Sequence, residues 1–418
     1  MPVVRYGDGQ LTINQLTTDS RMRKVYLDHS ATTPVDRRVV EAMLPYLTEK
    51  FGNASSVHLF GQEARAAADR ARRQVAMLIG ARANEIIFTS GGTEANNLAI
   101  RGVCELAESH GRHIITSSIE HPSVRGAVES LERRGWIVTR LPVYEDGIVR
   151  IEDVRSALRP DTILISVMMA NNEIGTIQPI REIGELVKEE RQRGHRHLWF
   201  HTDAVQAAGR LSIDVGHLDC DLLSISAHKI YSPKGTGALF LRRGVRLTPQ
   251  QVGGHQERER RAGTESIANI VAFGAAAELA SREMAERNEH ARRLRDRLET
   301  AVVASIDDIA FNGDCERRLP HLSNISFRFI EGEGLLIHLD MQGVAVSTGS
   351  ACSSGTLEPS PVIRALGRDE ELARGAIRFS FGKDNTDEDV DYALAALRSA
   401  VESLRKLSPL SRQTVVMR

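Results

Sequence analysis

The sequence predicts an α/β fold in which a large domain on a mostly parallel sheet precedes a smaller α+β domain. Three observations carry that expectation. From about residue 36, short β-branched runs alternate with longer helical patterns, the order that puts helices on both faces of a parallel sheet. Between Ile267 and Leu298 one long helical stretch changes from Ala-rich to Arg/Glu-rich near Ser281, which suits an element leaving one core to join another. Beyond it, strands and helices mix around a Gly/Ser-rich loop. The expected units are an extension over 1–22, a large domain over 36–284, and a small domain made of 23–35 with 285–418.

In chain order, Ala64–Leu78 is Ala- and Arg-rich with helical periodicity. Glu85–Thr89 (EIIFT) reads as a strand, followed by Ser90-Gly91-Gly92 and a helix over Thr93–Leu106. His113–Ser117, Ile163–Met168, Leu198–His201, Leu222–Ser226 and Ala238–Leu241 supply further strands. In the second unit Ser323–Phe329, Val344–Ser347 and Ala376–Phe381 read as strands. Gly334–Gln342 and Asp387–Lys406 read as helices there, and Thr348–Thr356 as the loop.

Composition excludes several classes. The 54 Lys and Arg against 55 Asp and Glu give a formal charge of -1, so no bulk field draws the chain to nucleic acid or a membrane surface. No apolar run approaches the roughly 20 residues that span a bilayer. Cys104, Cys220, Cys315 and Cys352 are widely spaced without a Cys-x-x-Cys pair, so neither a zinc knuckle nor a disulfide framework is expected, and a cytoplasmic setting is. Met1–Lys24 is polar and of mixed charge, without the apolar core of a secretory signal. A stable extension and a start at Met22 both fit it.

Lys229 is the first candidate for chemistry, in Ser226-Ala227-His228-Lys229 directly after an apolar strand. A lysine at a buried sheet edge can be desolvated, lose basicity and form a Schiff base. A strand-end lysine reaching solvent is the plainer reading, and Lys234 in Ser232-Pro233-Lys234-Gly235 is a competitor. Asp203 follows Leu198–His201 at another carboxyl end, where open α/β sheets bind ligands. A pyridoxal ring needs such a carboxylate to keep its nitrogen protonated. Taken alone, Asp203 could equally be a helix N-cap.

Ser90-Gly91-Gly92-Thr93-Glu94 lies between strand and helix. Its glycines admit an anion to the backbone, and the helix N-terminus offers free N–H groups. Neither the Walker A ending nor the dinucleotide Gly-x-Gly-x-x-Gly spacing is there. His121, in Glu120-His121-Pro122-Ser123, could stack on a flat ring or move protons. Asn171-Asn172-Glu173-Ile174-Gly175 puts amides at one more strand end. Each is an ordinary turn on its own, but together five polar clusters sit at strand ends of one domain.

Cys352 lies in a loop of small residues, Thr348 to Gly355, where burial is hard and a mobile thiol can attack and then carry a group. Cys104 and Cys220 read as core residues and Cys315 as incidental. Arg378 lies inside an apolar strand, where a guanidinium needs a carboxylate, either from a ligand or from a structural ion pair.

Ten segments in this order resemble the group I cysteine desulfurases, the NifS/IscS family within the class V aminotransferase-like, fold-type I pyridoxal-phosphate (PLP) enzymes. They are YLDHSATTP (Tyr26–Pro34), FGNASSVH (Phe51–His58), FTSGGTEANNLAI (Phe88–Ile100), EHPSV (Glu120–Val124), NNEIGTIQP (Asn171–Pro179), HTDAVQ (His201–Gln206), SAHKIYSPKG (Ser226–Gly235), RRAGTES (Arg260–Ser266), STGSACSSGTLEPS (Ser347–Ser360) and IRFSFG (Ile377–Gly382). The resemblance implies pyridoxal 5'-phosphate as cofactor, L-cysteine as substrate and alanine as product. By it, Lys229 resembles the Schiff-base lysine, Asp203 the partner of the ring nitrogen, and His121 the residue stacked on the ring. Gln206 and Asn172 resemble the partners of the ring oxygen. Gly92, Thr93, Ser226 and His228 resemble the phosphate cup, and Thr264 the threonine reaching the neighbouring subunit's phosphate, which implies a homodimer. Arg378, with Asn172, resembles the clamp on the substrate carboxylate, and Cys352 the nucleophile that carries the persulfide.

The implied course is that Lys229 is displaced by the substrate amine and moves its α-proton, and Cys352 then takes the sulfur and passes it to an acceptor such as an iron–sulfur scaffold. No intrinsic metal is implied, although Cys352 can help a scaffold hold a cluster. One departure is Ser232, where the family commonly has glycine before Pro-Lys-Gly; it touches only the geometry of that turn. A selenocysteine lyase or a related epimerase is the second enzyme reading, separated by assaying selenocysteine against cysteine. A persulfide relay without catalysis is the non-enzyme reading, and intact Lys229, Asp203, His121 and Cys352 speak against it.

Overall fold

The computed structural model describes residues 23–348 and 358–408. Its strands in chain order are β1 (Val25–Tyr26), β2 (Ile86–Thr89), β3 (His113–Ser117), β4 (Ile137–Leu141), β5 (Thr162–Ser166), β6 (Trp199–Asp203), β7 (Leu222–Ser226), β8 (Gly237–Leu241), β9 (Ile309–Phe311), β10 (Leu322–Phe327), β11 (Val344–Ala345) and β12 (Ala376–Ser380).

Seven of them form one sheet in the order β2-β8-β7-β6-β5-β3-β4. Strands β3 to β7 pair in parallel, and β8 alone runs against its neighbours β7 and β2. The α/β architecture with a mostly parallel sheet is therefore as the sequence predicts. Strands β2, β3, β5, β7 and β8 are buried at every residue, because helices cover both faces and both sets of alternating side chains meet a core. Adjacent residues accordingly enter different cores: Ile86, Ile115 and Leu223 face one cluster, Ile87, Ile114 and Leu222 the other. Edge strand β4 has no counterpart in the sequence reading. Its exposed and half-buried residues, Arg140 among them, lack the apolar run that marks its partners, as befits an edge that must not recruit further strands.

The helix Leu59–Leu78 begins five residues before the Ala-rich periodicity, at the N-cap His58. The early residues Leu59 and Phe60 are exposed, so the periodicity marks only the buried part. The long helix runs from Ile267 to Ser305, and its two halves feed separate cores. Ile267, Ile270, Phe273 and Ala277 pack with the large sheet. Ala291, Leu294, Leu298 and Val302 pack with β10, β12 and the helix Asp387–Leu407, through Ile325, Phe379, Val390 and Leu397. There β10 lies between β12 and β9, all antiparallel, and β1 pairs with β11 in parallel.

The carboxyl ends of β3, β5, β6 and β7 lie along one edge of the sheet, and β2 points the same way. All five polar clusters follow those ends.

Candidate active site

Lys229 closes a single 3-10 turn after β7. Its half-buried Nζ donates to the carbonyl oxygens of Ser30 at 2.5 Å and Ala31 at 2.7 Å, so the amine is held by the N-terminal segment rather than released to solvent. That segment is locked to the lysine turn by Thr33, whose Oγ1 donates to the His228 carbonyl at 2.8 Å and accepts from the Tyr231 N–H at 2.8 Å. Tyr231 has a left-handed φ of 70°, a strained state that this bond helps to hold. The competitor Lys234 is exposed.

Asp203 ends β6 and is buried. Its Oδ1 accepts from the Val205 N–H at 2.9 Å, the turn that a lone capping aspartate would also make, while Oδ2 accepts from Asn96 Nδ2 at 2.7 Å. His121 caps the helix Pro122–Glu132, with Nδ1 accepting from the Ser123 N–H at 3.1 Å. Burial holds its basicity below the ordinary imidazole range; Lys229 and Arg125 act in the same direction and Asp203 against them. Beside it, fully buried Glu120 is pushed up to about 8 by burial, so it is mostly protonated at neutral pH. Its Oε1 accepts from Ser117 Oγ and the Met168 N–H.

Gly92 opens the helix Gly92–Ala107. A Cβ there would lie 2.7 Å from Val205 Cγ2 and 3.5 Å from Ser226 Cβ, so glycine is what lets this N-terminus sit against the ends of β6 and β7. Thr93 is exposed on the same turn and Ser226 is buried at the end of β7. Burial first, then Lys229 and Lys234, lowers His228 to about 4, so its ring is neutral; Nδ1 meets Thr32 Oγ1 at 3.1 Å. Gln206 Nε2 donates to the Ser30 carbonyl at 2.9 Å, the oxygen that also receives Lys229.

Arg378 is buried in β12, and NH2 meets Asp28 Oδ1 at 2.6 Å while NH1 donates to the Asn172 carbonyl at 2.8 Å. The ion pair weighed as the plainer reading is thus present, and Nε remains without a partner among the described residues. Thr264 is exposed and lines a cavity of about 140 Å³ with Thr89, Ser90 and Arg261. Cys352 lies outside the described residues. Cys104 and Cys220 are fully buried, and burial pushes the Cys220 thiol up to about 12.

A glycine-opened helix N-terminus, a buried carboxylate, a helix-capping imidazole of lowered basicity and a strand-end primary amine converge along one sheet edge. This is the donor set that pyridoxal phosphate requires, since each charged part of that group finds an opposite charge or a donor. A class-V aminotransferase family model matches residues 25–393. The chain belongs to the class-V aminotransferase family. The family is PLP-dependent, and the fold is that of its fold-type I members. Among its relatives, "Cysteine desulfurase IscS" of Dictyoglomus turgidum is 50% identical over 391 residues, 94% of this chain and 98% of that protein. A solved structure titled "NIFS-LIKE PROTEIN" is 36% identical with a TM-score of 0.85, covering 91% of this chain and 100% of that one. Another, "SspA in complex with cysteine", is 34% identical with a TM-score of 0.76, covering 87% and 100%.

Within this class-V framework the structure adds residues that the sequence reading passed over. Asn96 and Ser123 bond to Asp203 and His121. The carbonyls of Ser30 and Ala31 seat Lys229, and Asp28 pairs with Arg378. Ser360, which caps a short helix, donates to the buried Glu173. Asn96 carried a legible signal, since it shares a helix face with Ala99, Ile100 and Val103, all buried, and a polar residue on such a stripe needs a partner.

Proposed function

We propose that this chain is a PLP-dependent cysteine desulfurase that converts L-cysteine to L-alanine and loads the sulfur on Cys352. The observation that carries the reading is the seating of the Lys229 amine beside Asp203 and His121 at the strand ends, in a chain half identical to proteins named for that activity. Pyridoxal phosphate supplies an electron-withdrawing ring that stabilises negative charge at the substrate α-carbon. Lys229 Nζ would hold the cofactor and, when free of it, would move a proton at the substrate α-carbon. With the cofactor bound, Asp203 would keep a proton at its ring nitrogen and His121 would help to hold the ring. Gly92, Thr93, Ser226 and His228 take the phosphate, and Gln206 with Asn172 the ring oxygen. The spare donors of Arg378 take the substrate carboxylate. At Cys352 the thiolate forms an S–S bond as the substrate C–S bond breaks, so cysteine and a thiol become alanine and a persulfide.

The test is incubation of the purified, cofactor-loaded protein with cysteine and a thiol reductant, measuring alanine and sulfide. Equal yields of the two support the reading, and cysteine left intact while selenocysteine is cleaved would replace it with the lyase. Running the assay with candidate acceptors identifies the partner, for which an iron–sulfur scaffold in the cytoplasm is our choice.

The same reading makes the enzyme a homodimer. An exposed apolar run supports this: Phe51, Val57, Leu59 and Phe60 are 69%, 89%, 68% and 52% exposed, and the rings of Phe51 and Phe60 stack at 5.8 Å. Thr264, exposed in the single chain, then completes the phosphate cup of the neighbour. Mixing Lys229→Ala chains with Thr264→Ala chains is expected to restore near-native cofactor affinity at the site with the intact lysine, because its partner brings the intact threonine. Affinity as weak as in the Thr264→Ala homodimer would show that the threonine serves its own chain.

A further inference from the structure

Asp203 and His121 come from different elements, yet hydrogen bonds join them through two buried side chains that have no part in the mechanism above. Asn96 lies on the helix Gly92–Ala107 and is fully buried. Its Nδ2 donates to Asp203 Oδ2 at 2.7 Å and to Ser123 Oγ at 2.8 Å. A carboxylate only accepts, so the amide must face Asp203 through its nitrogen. Ser123 Oγ, already accepting from Asn96, lies 2.8 Å from His121 Nδ1 and has its one proton to give there. The Ser123 N–H donates to the same atom at 3.1 Å. A backbone N–H cannot reverse its role, so Nδ1 is an acceptor and the ring proton resides on Nε2.

We propose that Asn96 and Ser123 are positioning residues that tie the charge of Asp203 to the proton affinity and ring plane of His121. The inference rests on the reading of those two residues as partners of the cofactor ring. The cost of the arrangement supports it: Asn96 Oδ1 is buried without a partner among the described residues, a penalty that an apolar side chain on this helix face would avoid. The charged groups acting on His121 are Asp203 from β6, Lys229 from beyond β7 and Arg125 from its own helix. Asp203 is the one that favours the protonated ring, and the Asn96 amide partly neutralises it.

Histidine-selective nitrogen NMR of the cofactor-free protein tests this, with the His121 signals identified by their loss in His121→Gln. The wild type is expected to show the neutral Nε2–H tautomer at neutral pH. Asn96→Ala leaves both donors to His121 in place but uncovers the Asp203 charge, so proton affinity at His121 should rise about three- to tenfold, the worth of one hydrogen bond. Ser123→Ala keeps the backbone N–H on Nδ1 and with it the Nε2–H tautomer. It removes the hydroxyl donor to the neutral ring, so proton affinity at His121 should rise there too, and Ser123→Thr should restore the wild-type titration. In loaded protein the pH midpoint of the visible band should shift for Asn96→Ala and not for Ser123→Thr. An unchanged His121 titration in Asn96→Ala would overturn the proposal, as would a folded Ser123→Ala whose His121 titrates as in the wild type. Failure of the wild type to attach the cofactor at Lys229 would instead sink the functional reading and leave the NMR result standing.

Discussion

Lys229→Ala is expected to cut cysteine turnover by at least about a thousandfold, the scale of losing a proton-transferring group together with covalent attachment. The fold should survive, because the N-terminal segment that seats the amine is also held by Thr33 on the His228 carbonyl and by His29 and Ser30 on Ser380. The purified wild type should be yellow, and borohydride should fix its cofactor to the chain. Lys229→Ala should lose both the colour of the attached cofactor and the borohydride-fixed label. Lys234→Ala should behave as wild type, since that side chain is exposed and outside the constellation. A label retained in Lys229→Ala and mapped to Lys234 would move the assignment to the wrong-looking lysine and end the present one.

Cys352→Ala separates the two halves of the chemistry. The cofactor groups are untouched by this change, so colour and the spectral response to added cysteine should persist. Sulfide release and protein-bound persulfide should fall below about one per cent of wild type, because no other thiol replaces the nucleophile. Cys104 and Cys220 are fully buried with their thiols pushed up by burial, which leaves them without an available thiolate. Cys315 is exposed but sits in the polar segment between β9 and β10. Turnover abolished by Cys315→Ala and kept by Cys352→Ala would reverse the assignment.

Much of this was legible in the sequence for a physical reason. Strands buried on both faces are rich in apolar and β-branched residues, and β3 and β7 stand at the limits read from that pattern. Alone, a lysine after such a strand can simply reach solvent and an aspartate can cap a helix; Asp203 and Lys229 stood out because five polar clusters share the strand ends of one domain. Edge strand β4 escaped because an edge may be polar. Asn96 and Ser123 escaped because their partners lie on other elements, and contacts such as Asn96 to Asp203 become visible only when the helix is laid across the sheet. Arg378 shows the limit of composition: a buried guanidinium announces a carboxylate, but not that Asp28 would be the one beside it.

The seat of Lys229 also dictates when this site can come into being. The oxygen that receives the amine belongs to Ser30, whose N–H is held by Ser380 Oγ, 350 residues further along the chain. On the ribosome the N-terminal segment therefore emerges long before β12, and the large sheet is complete while one anchor of that segment is still unmade. Contacts so distant in sequence close last. One half of this segment's anchorage, on Ser380, is then set by the making of β12, while the other half, through Thr33 on the lysine turn, needs only the large sheet.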